Sequence, residues 1–190
     1  VRGLCGGELP ESYTAAVRAV LEREQIDQEE RNVLVSHQFY TGKDISTGGN
    51  ITPETCDSEL LSVGGIDNVD ISVLKDFDYA ALGHLHGPQP AGKKGRYSVS
   101  PLKYSVDEER QRKGYIQLEW DGAKMSQEFV PCSPLRDVRR VKGLFEDLLR
   151  AGEEHPCQDY VELVLEDSAP VMLAAERLRP FYPNLLSVSN

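Results

Sequence analysis

The chain has 190 residues, 39% apolar and 27% charged, and its 21 Lys and Arg against 31 Asp and Glu leave a formal charge of −10. That apolar share can build the core of one domain, or of one domain plus a small second one, and it excludes general disorder. No apolar run approaches the roughly 18 residues of a membrane-spanning helix, so no membrane association is expected. The acidic balance argues against coating nucleic acid by bulk charge, although a local basic patch remains compatible with it. The sequence begins Val1-Arg2-Gly3-Leu4, without Met or the regions of a signal peptide, and reads as a piece of a longer cytoplasmic polypeptide.

Residues 12–24 carry Ala16, Val17, Val20 and Leu21 on one helical face behind Ser12, which predicts a helix with Ser12 as its N-cap. The β-branched run at 32–36 reads as a buried strand that ends at His37. Gly42, Gly48, Gly49, Asn50 and Pro53 make 41–58 a long loop, and Gly64-Gly65 breaks the segment after it. Residues 71–77 read as a short helix. Tyr79 to Leu82 is a second buried strand, running into Gly83-His84-Leu85-His86-Gly87-Pro88. After a turn-rich 88–95, a strand is expected at 96–100. Residues 113–120 and 124–130 alternate around Asp121-Gly122, a strong hairpin signal. Two prolines in Pro131-Cys132-Ser133-Pro134 mark a boundary. Beyond it, 137–141, 160–165 and 185–188 read as strands, and 142–151 and 170–179 as helices, together a small α+β module.

The four cysteines (Cys5, Cys56, Cys132 and Cys157) are scattered, with no Cys-x-x-Cys pair. They read as reduced thiols rather than a zinc knuckle or a disulfide framework. Three of the four histidines, His37, His84 and His86, stand just past predicted strand ends, where folds with buried strands place their sites. On a strand, His-x-His would turn both imidazoles to one side, able to serve one metal or two neighbouring ones. His155, in Glu153-Glu154-His155-Pro156, has no such context and reads as a solvated loop residue.

Val33-Leu34-Val35-Ser36-His37-Gln38-Phe39 and Asp78-Tyr79-Ala80-Ala81-Leu82-Gly83-His84-Leu85-His86 resemble the later motifs of calcineurin-like metallophosphoesterases. The wider context is similar to one branch, the SbcD-type nucleases of bacterial SbcCD repair complexes. It comprises Gly64-Gly65 with Asp67 and Val69-Asp70, Tyr97-Ser98-Val99-Ser100-Pro101-Leu102-Lys103-Tyr104-Ser105, and Lys113-Gly114-Tyr115. The likeness continues through Asp159–Leu165 and Leu178-Arg179-Pro180-Phe181-Tyr182-Pro183-Asn184, so it covers nearly the whole chain.

The resemblance implies an α+β fold. Residues 1–130 would be the later half of a metallophosphoesterase β-sandwich flanked by helices, and 131–190 a DNA-capping domain. It further implies an exo- or endonuclease that hydrolyses DNA phosphodiesters at two divalent ions, most often manganese. His37 and His84 would hold one ion and His86 the other, with Asp67 or Asp78 able to orient the imidazoles. The family's Asp-x-His, Gly-Asp-x-x-Asp and Gly-Asn-His-Asp motifs do not occur in the 190 residues. The chain by itself is therefore expected not to cleave DNA, and to self-associate as a homodimer. The implied partners are DNA and an SbcC-type ATPase. Val99 departs from the family's Tyr-Ser-Gly-Ser-Pro, and Val suits a strand but not a positive φ.

Residues 93–113 hold seven basic residues against three acidic ones, and 136–142 hold Arg136, Arg139, Arg140 and Lys142 against Asp137. Within the first stretch, Lys93, Lys94, Arg110 and Arg112 are the expected DNA-backbone contacts, flanking the metal site. Two other readings stay open: a metallophosphoesterase acting on nucleotides or phosphoproteins, and a non-catalytic module that binds DNA or a partner protein.

Overall fold

The computed structural model of the chain describes residues 10–43, 48–55, 59 and 68–190. The chain is α+β and divides into two compact units. One holds the described residues through Pro101 together with Gly114–Pro131; the other holds Leu102–Lys113 and Cys132–Asn190. The Pro131–Cys132 junction, beside the proline-rich boundary, is one crossing between them. The excursion of Leu102–Lys113 is not visible in composition. It follows from polar contacts within the second unit. Lys113 forms an ion pair with Glu108, and these two side chains are 4% and 0% exposed. The Cys132 N–H donates to the Lys113 carbonyl at 2.9 Å, Lys103 Nζ lies 2.9 Å from the Asp137 carboxylate, and the Arg140 N–H donates to Glu109 at 2.9 Å.

In the first unit, helix α1 spans Tyr13–Leu21, and Ser12 caps it as expected, its hydroxyl accepting the Ala15 N–H at 3.1 Å. Strands follow at β1 (Val33–His37), β2 (Phe39–Lys43), β3 (Asn50–Ile51) and β4 (Asn68–Asp70). A 3₁₀ turn at Ile71–Leu74 precedes β5 (Tyr79–Gly83), β6 (Gln89–Ala91) and β7 (Gly95–Tyr97). The end of β2, all of β3 and β6 thus lie in stretches whose glycines and prolines read as loops. One sheet has the order β1-β5-β7-β6, with β1, β5 and β7 parallel and β6 antiparallel to β7; a second has the order β3-β2-β4. Tyr40, Val69, Ile71, Leu74, Ala80, Leu82 and Tyr97 form the core, with Val17 and Leu21 of α1 packed against it. The β8–β9 hairpin (Gly114–Asp121 and Lys124–Pro131) turns around Gly122, as the Asp-Gly signal predicts.

Strand β5 is buried as expected, but β1 is not. Val33 is 41% and Val35 81% exposed. Among the described strands β1 is the end strand of its sheet, so only one of its sides is paired. Its apolar composition matches that of a central strand, and composition alone cannot tell the two apart.

The second unit is a three-stranded parallel sheet of order β10-β11-β12, formed by Val138–Gly143, Tyr160–Leu165 and Leu185–Ser189. Helices α2 (Phe145–Glu154) and α3 (Ala174–Leu178) make the crossovers that parallel strands require. Val161, Leu163 and Leu165 alternate along β11 and bury one face against Phe145, Leu148 and Leu178. Gly152 is needed in α2 because a Cβ there would come within 2.7 Å of Phe181 Cβ. The Tyr182 hydroxyl then donates to the Leu148 carbonyl at 2.8 Å. Asp167 caps α2, accepting the Phe145 N–H at 2.8 Å in place of a local N-cap side chain. Among the described residues, no helix is long and apolar enough to cross a membrane.

Candidate histidine site

Strands β1 and β5 pair in parallel, with Val33 opposite Tyr79 and His37 opposite Gly83. Their carboxyl ends therefore lie side by side, which brings together two histidines 47 positions apart in the sequence. The His37 and His84 rings meet edge to face at 5.5 Å between centroids and 88° between planes. Phe39 lies at 6.2 Å from the His84 ring. Gly83 makes this approach possible, since a Cβ there would stand 2.7 Å from His37 Nδ1.

His84 itself has φ 101, the left-handed region that L-residues with a Cβ adopt rarely and at a cost. Strand alternation therefore stops at Gly83, and the strand-based argument for a parallel His-x-His pair does not apply. The ring pair is His37 with His84. The His86 N–H donates to the Glu59 carboxylate, and its carbonyl accepts the Ser100 N–H at 3.3 Å. Leu85, 2% exposed, anchors the turn between them.

Burial, followed by the neighbouring His37, pushes the His84 imidazole below its ordinary value; Glu59 opposes the shift and His86 adds to it. A neutral His84 at pH 7 is the form that ligates metals. Behind the site, the Tyr97 hydroxyl accepts the Tyr40 N–H at 2.8 Å and donates to the Gln38 carbonyl at 3.3 Å. It thus holds the backbone immediately after His37. Burial pushes the Tyr97 phenol up to about 12, so it stays a neutral donor.

Imidazole donors suit iron or zinc, and a carboxylate beside them makes the set compatible with manganese as well. The grouping is incomplete, however: among the described residues no three His, Cys, Asp or Glu side chains form a cluster that could hold a metal ion.

The other sequence-derived candidates are placed elsewhere. Asp78 accepts the Asn32 N–H at 2.8 Å at the amino ends of β1 and β5, a loop-capping role far from the imidazoles. Asp67 lies outside the described residues. Lys93 and Lys94 occupy the β6–β7 turn, where the Lys94 carbonyl accepts the Ala80 N–H at 2.8 Å. Because β7 runs parallel to β5, that turn is at the opposite end of the sheet from His84. The two lysines therefore do not flank the histidines. Arg110 and Arg112 are exposed and group with the second unit. In the 136–142 stretch, Arg139 pairs with Asp159 at 2.9 Å and Arg140 with Glu162, so both carry acidic partners. His155 is exposed at the end of α2, and Cys132 and Cys157 are free thiols.

Glu59 and Tyr97 were not marked as site residues by the sequence. Glu59 reaches His86 across 27 positions, and Tyr97 reaches Tyr40 across 57, so no local spacing could announce either.

Residues 134–190 match the family model described as the type 5 capsule protein repressor C-terminal domain, SbcD_C. The chain is 32% identical over 186 residues to the SbcD component of the SbcCD nuclease of Staphylococcus epidermidis, covering 95% of this chain and 47% of that protein. It is 30% identical over 184 residues to the corresponding SbcCD nuclease component of Staphylococcus saprophyticus, covering 95% and 46%. The chain thus spans about half the length of these curated relatives, and over that span it is similar to them.

Proposed function

We propose that this chain is part of a DNA repair nuclease that hydrolyses DNA phosphodiesters at two divalent metal ions, manganese by preference, together with an SbcC-type ATPase. The observation that carries the reading is the 32% identity to an SbcCD nuclease component along 95% of the chain. The imidazole pair at the adjoining ends of β1 and β5 supports it. His37, His84 and His86 would hold metal, which in such hydrolases activates water and clamps the scissile phosphate. What the chain itself contributes is a neutral His84 kept so by burial and a glycine that lets His37 close on it. The exposed side chains of Lys93, Arg110 and Arg112 would meet DNA phosphates, positioning a duplex without reading its sequence.

Calorimetric titration of manganese into the chain tests the reading. His37→Ala and His84→Ala should each weaken binding by about tenfold or more, and unchanged affinity in both would overturn it. Linear duplex DNA should stay intact with the 190-residue chain and manganese, because the three further family motifs do not occur in it. Manganese-dependent degradation would contradict that expectation. The lack of a three-donor cluster among the described residues favours a second reading, a non-catalytic DNA- or partner-binding module. Duplex binding that chelator leaves unchanged would select it.

A further inference from the structure

In the second unit, apolar side chains stand exposed where the strands end. Leu144 follows β10 directly and is 48% exposed, while Met172 and Leu173, between β11 and α3, are 83% and 61% exposed. The chain is anchored on both sides of the latter two, since Val171 packs against the core of the unit and Ala174 is buried in it. Arg177 links the two stretches. Its N–H donates to the Leu173 carbonyl at 3.0 Å, and its guanidinium lies 4.0 Å from the centre of the ring of Phe145, the residue after Leu144. All of these residues belong to one unit.

Leu173 is held at φ 54, in the left-handed region, and its side chain makes no capping bond to α3. Glycine or asparagine takes that conformation at little cost, and an exposed leucine regains nothing by burial. Within the chain, leucine at this position costs stability; under the apolar surface of a partner it would contribute burial. Methionine beside it supplies the flexible side chain that suits a binding surface.

The rim of the patch is acidic. Glu166 and Glu176 are exposed, Asp167 accepts the Phe145 N–H, and Glu146 faces Arg177 at 3.5 Å, so Arg177 is outnumbered. Arg179 lies past the far end of α3. Lys142 does not offset the rim either: alternation puts it on the sheet face opposite Val141, which packs in the core with Phe145 and Leu178. Such a rim repels phosphates, and so nucleic acid or an anionic membrane, and attracts a cationic protein surface.

We propose that Leu144, Met172 and Leu173 form a docking surface for a protein segment that carries apolar side chains flanked by lysine or arginine, a surface independent of the histidine site and of the metal reading given for it.

A synthetic amphipathic peptide of leucine and lysine is the probe, followed by NMR on the 190-residue chain. It should shift the amides of residues 144–146 and 171–174, and a leucine–glutamate peptide of the same pattern should not. Leu173→Gly combined with Met172→Ser should weaken binding of the leucine–lysine peptide about tenfold. The denaturant midpoint of Leu173→Gly alone should stay at or above the parent value. Glu166→Lys with Glu176→Lys, which leaves the apolar side chains in place, should also weaken binding, most at low salt. A parent chain that does not bind the peptide, shifts confined to other residues, or equal affinity in the Leu173→Gly, Met172→Ser variant overturns the docking surface. Equal binding of the leucine–glutamate peptide, or unchanged affinity after the two glutamate substitutions, overturns the cationic character of the partner. A lowered midpoint in Leu173→Gly would mean that Leu173 serves the packing of its own unit, and overturns its role here. Should the combined variant not fold, Met172→Ser alone makes the affinity comparison, since it alters only an exposed side chain.

Discussion

Val99 is a β-branched residue held at φ 116 and 9% exposed. The backbone holds a conformation that favours glycine under a valine side chain. Such a conformation costs about 1–3 kcal/mol, whereas burying the valine returns about 1.5–3 kcal/mol. The two nearly cancel. Val99→Gly should therefore lower stability by less than about 1.5 kcal/mol, counting the added freedom of the unfolded chain. Val69→Gly, at a fully buried strand position of the same unit, should cost about 3 kcal/mol, since it loses burial with no strain to relieve. Denaturant midpoints of the two variants make the comparison, and equal losses would mean that Val99 stores no strain. At this scale the sequence was informative about identity and poor on conformation. His37 and His84 were legible because each ends an apolar run. The positive φ of His84 was not, because a turn beyond a strand end carries no period that would announce it.

Among the elements, β1 shows most clearly what an apolar run leaves open. Its Val-Leu-Val pattern predicted a strand, and a strand is there; which sides are covered depends on neighbours that periodicity cannot name. Pairing with β5 on one side brings His37 to Gly83, so the site exists because of this ladder. On the other side no described strand pairs, and Val35 is 81% exposed. An unpaired edge with apolar side chains is a template for joining a second chain, and charged residues, especially lysine, are the usual protection. The chain should therefore self-associate through β1, and Val35→Lys should shift it towards monomer. Sedimentation velocity over a range of concentrations decides this: a parent chain that is monomeric throughout sinks the idea. The β8–β9 hairpin and the β10–β12 module were legible by comparison because their turn chemistry and alternation are local. The short strands β3 and β6 were not, since two or three residues of ladder carry no period.

For the molecule as a whole, the proline-rich boundary foretells two units but not where Leu102–Lys113 belongs. That segment carries Lys103, Arg110, Arg112 and Lys113 from the basic 93–113 stretch, and its Lys113 is not a surface charge. Its side chain is 4% exposed against a fully buried Glu108, with Gln111 also accepting from it at 2.8 Å. A basic stretch in a sequence thus mixes solvent-facing cations, which can meet phosphates, with an internal one that cannot. Removing one partner of such a pair strands the other charge, which typically costs about 3–5 kcal/mol. Replacing both by apolar groups of similar size is far milder. Lys113→Met should accordingly be strongly destabilising, and Glu108→Leu with Lys113→Met should recover most of the loss. Because the pair lies within the second unit, amide protection should fall across β10, β11 and β12 in the single variant. In β5, which belongs to the first unit, it should hold. Hydrogen exchange read by mass spectrometry distinguishes the two regions. Protection lost in β5 and retained in β11 would assign Leu102–Lys113 to the other unit and overturn the division described above.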